Sequence, residues 1–166
     1  NFIGKIVSGR SGRIDFSQGI LDIGFPMATP VIRKVLKKAD GNNDVVIDSP
    51  PGTSCSMIAA VKESDFVILV TESTPFGLND LMIAVETIKK LSIPVGVIIN
   101  RSMAGDDLVE KYCEDNNLKI LMKIPYSHKI AKICSTGGNL ITGAPDLKKK
   151  LEDLWKFIFW TTGGEK

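Results

Sequence analysis

The 166-residue sequence contains few cysteines and no long apolar run. Cys55, Cys113 and Cys134 lie far apart and form no CxxC pair, so neither a disulfide framework nor a metal knuckle is predicted. No apolar stretch approaches the roughly 20 residues of a membrane-spanning helix. The first residues, Asn1 to Gly4, also lack the charged and apolar regions of a signal peptide. These absences favour a protein of the reducing cytoplasm without a transmembrane segment.

A large excess of one charge is also absent. Lys and Arg number 21 against 19 for Asp and Glu, which leaves a net charge of +2 and predicts no nucleic-acid partner. The one lysine run, Lys148 to Lys150, falls on a turn of a helical pattern and is interpreted as its solvated face. With 43% hydrophobic residues, the chain has enough apolar side chains to form a core without disulfides or metals.

Strand and helix patterns alternate along most of the chain. A turn-rich start at 3–23 predicts an antiparallel ribbon, and a helical pattern from Met27 to Ala39 stops at Asp40 to Asn43. Val45 to Ile47 is a β-branched run typical of a parallel strand buried on both faces. Further strands are predicted at 66–70, 95–99 and 120–124, with helices at 78–91 and 106–116 and an apolar helical stripe at 147–159.

This alternation predicts an α/β fold, in which a mainly parallel sheet is flanked by helices and preceded by a short N-terminal β-ribbon. The predicted boundaries are 1–24 for the ribbon, 25–160 for the sheet domain and 161–166 for a frayed tail. Ligands of open α/β sheets bind beyond the carboxyl ends of the strands, so the residues that follow each strand are the candidates for a site.

Asp48 follows the first of the sheet strands. A carboxylate buried there would cost several kcal/mol without a compensating cation or hydrogen bonds, which favours a Walker B acid that holds a water on Mg²⁺. The following Pro50, Pro51 and Gly52 predict a rigid turn whose glycine amide approaches a γ-phosphate. The alternative is that Asp48 and Ser49 cap a turn before two prolines.

Three more loops carry candidates. Thr71 to Leu78 is either a binding loop or a helix start capped near Thr74 or Gly77. Asn100, followed by Arg101, has an amide that both donates and accepts and so matches the N6 and N1 or N7 edge of adenine, although a turn-forming Asn is the alternative. Pro125 to Ser127 either lines the same pocket from the other side or merely ends a strand.

Three other residues invite a functional interpretation that their context does not favour. Cys55 is interpreted as a small buried residue that begins a helix, because a single cysteine makes a poor cluster site. His128 is interpreted as a surface or helix-start residue. Trp155 is interpreted as part of a helix that covers the sheet, rather than as a partner or membrane contact.

The order of these motifs resembles the deviant Walker A ATPases related to MinD, ParA, Mrp and the nitrogenase iron protein. The nearest resemblance is to MinD-superfamily members that carry an inserted ferredoxin domain. The segments that carry the resemblance are 21–30, 45–55, 71–81, 97–101 and 124–127.

The resemblance implies roles for the candidate residues. Asp48 is then the Walker B acid that binds Mg²⁺ through water, and Pro50 to Gly52 form the switch II loop, in which Pro51 and Gly52 meet the nucleotide and Gly52 serves catalysis. Asn100 reads the adenine of ATP with Arg101 beside it, and the Pro125 and Tyr126 backbone closes the far edge of that pocket.

Two motifs of the resembled proteins are missing: a GKGG-type phosphate loop and a CxxCxxC run for an iron–sulfur cluster. In those proteins both precede the segment found here. We therefore expect the C-terminal portion that follows the ferredoxin insertion, inactive alone because the loop lysine is absent. The full-length form is expected to be a homodimer that binds ATP and Mg²⁺, carries 4Fe-4S clusters in the insertion and acts with a ferredoxin-type or iron–sulfur partner.

Two other hypotheses remain open. The segment is alternatively a non-catalytic interaction module whose sheet and amphipathic helices dock a subunit that supplies the phosphate loop. A flavodoxin-like or response-regulator-like domain with a phosphorylated Asp48 is the third hypothesis, but the Pro-Pro-Gly turn and the Asn100–Arg101 loop fit it poorly.

Overall fold

A computed structural model describes residues 3–39, 43–105 and 107–163. The chain divides into two compact units, Asn1–Glu63 and Ser64–Lys166. The first contains an antiparallel hairpin with two helices, and the second contains a three-stranded parallel sheet flanked by helices. The predicted α/β fold with a short N-terminal ribbon is therefore confirmed. None of the helices in these described ranges is long and apolar enough to cross a bilayer.

The first unit packs a hairpin against a helix. Strands β1 (Gly4–Ser11) and β2 (Ile14–Leu21) pair antiparallel, followed by helices α1 (Thr29–Leu36) and α2 (Cys55–Val61). A Cβ atom on Gly19 would lie 2.6 Å from Cγ1 of Val31, so only glycine lets β2 approach α1 this closely. The predicted stop signal at Asp40 to Asn43 lies mostly outside the described residues, because only Asn43 is described.

The strand predicted at Val45 to Ile47 is wrong. The segment belongs to no strand, and its three side chains are exposed by 49%, 80% and 36%. A β-branched run becomes a strand only when its backbone groups pair with a neighbouring strand. Among the described residues, the sheets contain only β1 with β2 and the three strands of the second unit, so this segment has no such partner there.

The second unit is built on three parallel strands, β3 (Val67–Glu72), β4 (Val95–Ser102) and β5 (Lys119–Pro125), in that spatial order. Helix α3 (Pro75–Leu91) connects the first two and α4 (Leu108–Asp115) connects the last two. Asp106, the first residue of the predicted fourth helix, lies outside the described residues. The hydrophobic core that α3 and α4 share with the sheet consists of Leu81, Val85, Val97, Ile99, Val109, Cys113 and Leu118.

The loop from Thr71 to Leu78 is a helix start. Thr74 is the N-cap of α3, and its side-chain oxygen accepts a hydrogen bond from the Gly77 amide at 3.0 Å. Pro75 occupies the first turn, where its missing N–H costs nothing. Helix capping therefore explains Thr74 and Pro75, whereas the buried Ser73 hydroxyl has no hydrogen-bond partner among the described residues.

Three helices follow the sheet: α5 (His128–Ser135), α6 (Leu140–Gly143) and α7 (Pro145–Thr161). Phe157 of α7 meets Phe66 edge to face at 6.4 Å, and Lys119 Nζ lies 3.7 Å from its ring centroid. The expectation that Trp155 takes this covering position is wrong, because Trp155 is 42% exposed. Two residues along a helix turn the side chain by about 200°, so Phe157 and Trp155 face different ways. Lys148 to Lys150 are exposed, as predicted.

A pair of isoleucines on α3 tests where the core lies. Ile88 is fully buried, whereas Ile83 is 44% exposed on the same helix. Ile88→Ala is expected to lower the free energy of unfolding by about 2–5 kcal/mol, because it leaves a cavity. Ile83→Ala should cost about 1 kcal/mol or less. Urea unfolding followed by circular dichroism measures both, and equal losses would contradict the packing described here.

Candidate functional site

The carboxyl ends of β4 and β5 form one groove of about 380 Å³. Parallel pairing places the two ends side by side, with Ser102 in register with Pro125. The structure thereby brings together four of the residues predicted from the sequence, Asn100, Arg101, Pro125 and Tyr126. The rest of the lining is Ile124, Ser127, Ile130 and Ala131.

A β-bulge shapes one wall of this groove. From Ile99 to Ser102 β4 advances three residues, while β5 advances two, from Lys123 to Pro125, so β4 carries one extra residue. Arg101 adopts a left-handed backbone with φ of 53°, which costs a non-glycine residue roughly 1–2 kcal/mol. The Tyr126 amide donates to the Ser102 carbonyl at 3.0 Å and closes the ladder beyond the bulge. Bulges of this kind redirect a side chain at a strand end.

The redirected side chain of Arg101 has two partners. Its Nη1 lies 3.4 Å from Oε1 of Glu72 at the end of β3, and its guanidinium carbon lies 5.5 Å from the centroid of the Tyr126 ring. The Tyr126 ring in turn meets His128 edge to face at 5.1 Å. Four side chains from three strand ends and the start of α5 therefore form a continuous cluster, of which Arg101 and Tyr126 line the groove.

Glu72 was not among the predicted site residues. Its position was available from the sequence, because it ends a strand next to the one that carries Asn100, and the two residues are register partners. The polar residues that follow Glu72 made the end of this strand hard to recognise in the sequence. His128 lies at the predicted helix start and is exposed.

The groove combines apolar walls with a few polar groups. Pro125, Ile130 and Ala131 supply apolar surface, Tyr126 supplies an aromatic face, and Asn100 supplies an amide. The Ser127 hydroxyl already accepts from the Ile130 amide at 3.4 Å and caps α5. The groove thus joins apolar and aromatic surface to the Asn100 amide and the Arg101 guanidinium, a lining that suits a planar heteroaromatic ring with polar edge groups.

The remaining predicted site residues, Asp48, Pro51 and Gly52, belong to the first unit. Asp48 is exposed, so the expectation that its burial demands compensation is wrong, since water solvates the carboxylate. Gly52 has a φ of 87° and stands in a bend that begins at Pro51. This conformation favours glycine and agrees with the predicted tight turn.

The fit to a metal differs between Mg²⁺ and an iron–sulfur cluster. Mg²⁺ is commonly held by one or two carboxylates together with water and phosphate oxygens, so Asp48 fits as one contributor. Across 3–39, 43–105 and 107–163, no group of three or more His, Cys, Asp or Glu residues is placed to hold a metal. The three cysteines are free, which does not fit the four thiolates of a cluster. Cys55 begins α2 as predicted, but it is exposed and not buried, because the buried face of that helix begins at Met57.

No family model matches the chain. An uncharacterized protein of Methanocaldococcus jannaschii is 32% identical over 117 residues, which cover 69% of this chain and 39% of that protein. The iron-sulfur cluster carrier protein of Haemophilus influenzae is 25% identical over 138 residues, with 73% and 37% covered. The cytosolic Fe-S cluster assembly factor Nubp1 homolog of Drosophila simulans is 29% identical over 142 residues, with 70% and 46% covered. The chain thus spans roughly two fifths of the length of these relatives.

Among solved structures, the cell division ATPase MinD of Pyrococcus furiosus superposes with a TM-score of 0.60 over 76% of this chain and 59% of that one, at 22% identity. The chain is related to the MinD/ParA/Mrp-type P-loop ATPases. The resemblance read from the sequence is confirmed at this level. In open α/β sheets, the edge at the carboxyl ends of the parallel strands is where a ligand is expected.

The three thiols are expected to differ in reactivity. Burial raises the pKa of the Cys113 thiol, and the charge of Glu110 adds to this effect, whereas Cys55 and Cys134 are exposed. Because the thiolate is the reactive form, Cys113 should react slowly. A colorimetric thiol assay at pH 8 should show two fast thiols and a third only after denaturation. Cys55→Ser and Cys134→Ser should each remove one fast thiol, and three fast thiols in the native protein would contradict the buried position of Cys113.

Proposed function

We propose that the predicted site residues supply the magnesium side and the adenine side of a MinD-superfamily ATPase that hydrolyses ATP. The observation that carries the proposal is the convergence of Asn100, Arg101, Pro125 and Tyr126 on one groove at the carboxyl end of a parallel sheet. The relationship to P-loop ATPases supports a nucleotide as the ligand of this edge.

In this proposal the groove takes the adenine ring. The Asn100 amide both donates and accepts, so it pairs with N6 and with N1 or N7 of adenine. Pro125 and Tyr126 supply the wall on which the ring lies, and Arg101 borders the opening. A slot of about 380 Å³ is large enough for one purine.

In the first unit, the proposed role of Asp48 and of the turn at Pro51 and Gly52 is to meet Mg²⁺ and phosphate. Asp48 holds a water on Mg²⁺, and the Gly52 amide donates to the terminal phosphate. Bound Mg²⁺ supplies charge neutralisation for the phosphates. The 166 residues contain no GKGG loop, so the lysine contacts to phosphate come from residues outside this sequence. The chain by itself is then not a competent ATPase.

We extend the proposal to the whole protein. The chain corresponds to the C-terminal portion of an ATPase that follows a ferredoxin insertion, works as a homodimer in the cytoplasm and couples its nucleotide state to iron–sulfur or electron-transfer chemistry. Its 4Fe-4S clusters lie in that insertion. The names of two relatives, an iron-sulfur cluster carrier and a cytosolic Fe-S cluster assembly factor, support the proposed link to iron–sulfur chemistry.

The adenine side is testable on the 166-residue chain. His128 is the only histidine and contacts the Tyr126 ring, so its ring proton signals in NMR spectra are assigned without ambiguity and report on the environment of Tyr126. Millimolar AMP should shift these signals saturably. Asn100→Ala should weaken AMP binding by about 30-fold, because two hydrogen bonds of roughly 1 kcal/mol each are lost. The control is Asn79→Ala, an exposed asparagine on α3, which should bind like the wild type. Unchanged AMP binding by Asn100→Ala would refute the role of Asn100.

The magnesium side is testable in the ATP-hydrolysing protein that contains these residues. Asp48→Asn should lower kcat by about 100-fold or more while the circular dichroism spectrum stays unchanged, because the metal loses its positioning carboxylate. Asp44→Asn, an exposed aspartate of the same segment, is the matched control. Equal turnover of the two variants would remove Asp48 from the mechanism. Tight MgATP binding by the 166-residue chain alone, measured by calorimetry, would contradict the proposed lack of phosphate contacts.

A further inference from the structure

Glu72 has a position that the proposed nucleotide contacts do not use. It ends β3 in register with Asn100 on β4, and its carboxylate oxygen lies 3.4 Å from Nη1 of Arg101. The pair bridges the carboxyl ends of two neighbouring strands, and Arg101 also lines the groove. Both side chains are partly exposed, Arg101 by 58% and Glu72 by 41%.

Arg101 is held by three separate restraints. The bulge fixes its left-handed backbone, Glu72 accepts from its guanidinium, and the Tyr126 ring lies 5.5 Å from its guanidinium carbon. A strained residue persists only where its surroundings over-determine it, and such outliers concentrate at ligand sites. These contacts direct the guanidinium toward Glu72 on β3 and toward Tyr126.

The direction of the guanidinium matters because it carries five donors and no acceptor. Guanine presents two adjacent acceptors, O6 and N7, which a free arginine binds in bidentate fashion. Adenine presents a donor, N6, in the place of O6, and therefore repels one arm of the same fork. An unrestrained Arg101 beside Asn100 would favour guanine over adenine.

We infer that Glu72 is a positioning residue that makes the groove select adenine: by holding Arg101 against Tyr126, it keeps the guanidinium donors away from the base. The inference rests on the proposed nucleobase site and adds the residue that sets its specificity. An ion pair this exposed changes an equilibrium constant by no more than about fivefold, so Glu72 adjusts the preference for adenine that Asn100 establishes.

The test compares AMP with GMP, whose phosphates are identical, by the shift of the His128 ring signals. The wild type should prefer AMP. Glu72→Gln should lower the ratio of AMP to GMP affinity by about fivefold, and Glu72→Asp, which keeps the charge, should restore part of the ratio. Adding Arg101→Ala to Glu72→Gln should cancel the gain in GMP affinity, because Glu72 acts through Arg101. Glu86→Gln, which breaks a comparable exposed pair with Lys90 on α3, is the control and should leave the ratio unchanged.

Salt provides a second measurement that needs no variant. Exposed ion pairs are screened by salt, so the AMP preference of the wild type should fall between 0.05 and 0.5 M NaCl and the ratio of the double variant should not. If AMP leaves the His128 signals of the wild type unmoved, the proposed nucleotide site itself fails. If AMP binds but Glu72→Gln leaves the ratio unchanged, or its effect survives the removal of Arg101, the role of Glu72 is overturned and the adenine site stands.

Discussion

The parallel pairing of β4 between β3 and β5 is the constraint on which the groove depends. Val97, Ile98 and Ile99 are nearly or fully buried because both faces of a central strand are covered. At Gly96, a Cβ atom would meet the Leu121 side chain at 2.6 Å, so any side chain at that point would force Leu121 to move. Because the three strands run in one direction, their polar ends meet at one edge. The burial of apolar side chains in the middle of the strands thus fixes the positions of the polar groups at their ends.

The same sheet accounts for the strain at Arg101. A left-handed arginine costs roughly 1–2 kcal/mol, while each fully buried aliphatic side chain of β4 contributes roughly 1.5–3 kcal/mol. Two such residues, Val97 and Ile99, directly precede the bulge and are fully buried. The core is therefore large enough to hold an unfavourable backbone at the rim. By contrast, the Glu72 pair is half exposed and too weak to hold the bulge in place, so it acts on the side chain and not on the fold.

The sequence predicted most of the second unit, since continuous β-branched runs and helical stripes are strong signals in that part of the chain. It placed Asn100, Arg101, Pro125 and Tyr126 near one another, because the ends of parallel strands must converge. It ended β4 too early, as the polar residues Asn100 to Ser102 give no strand signal and join the ladder only through the bulge. It also predicted a strand at 45–47. The β-branched pattern there is typical of a strand, but the availability of a pairing partner depends on the tertiary structure, which the pattern does not contain. Glu72 was missed for a related reason: its importance comes from a contact with another strand.

The backbone of Arg101 has one further consequence. A glycine at this position would relieve the left-handed strain, and it would also remove the guanidinium that meets Glu72 and Tyr126. Selection for stability alone and selection for the site therefore favour different residues at the same place. In the proposed site, Arg101 is thus a point where stability and ligand binding conflict, and stabilising substitutions found in a screen at this bulge are the ones expected to damage nucleotide binding.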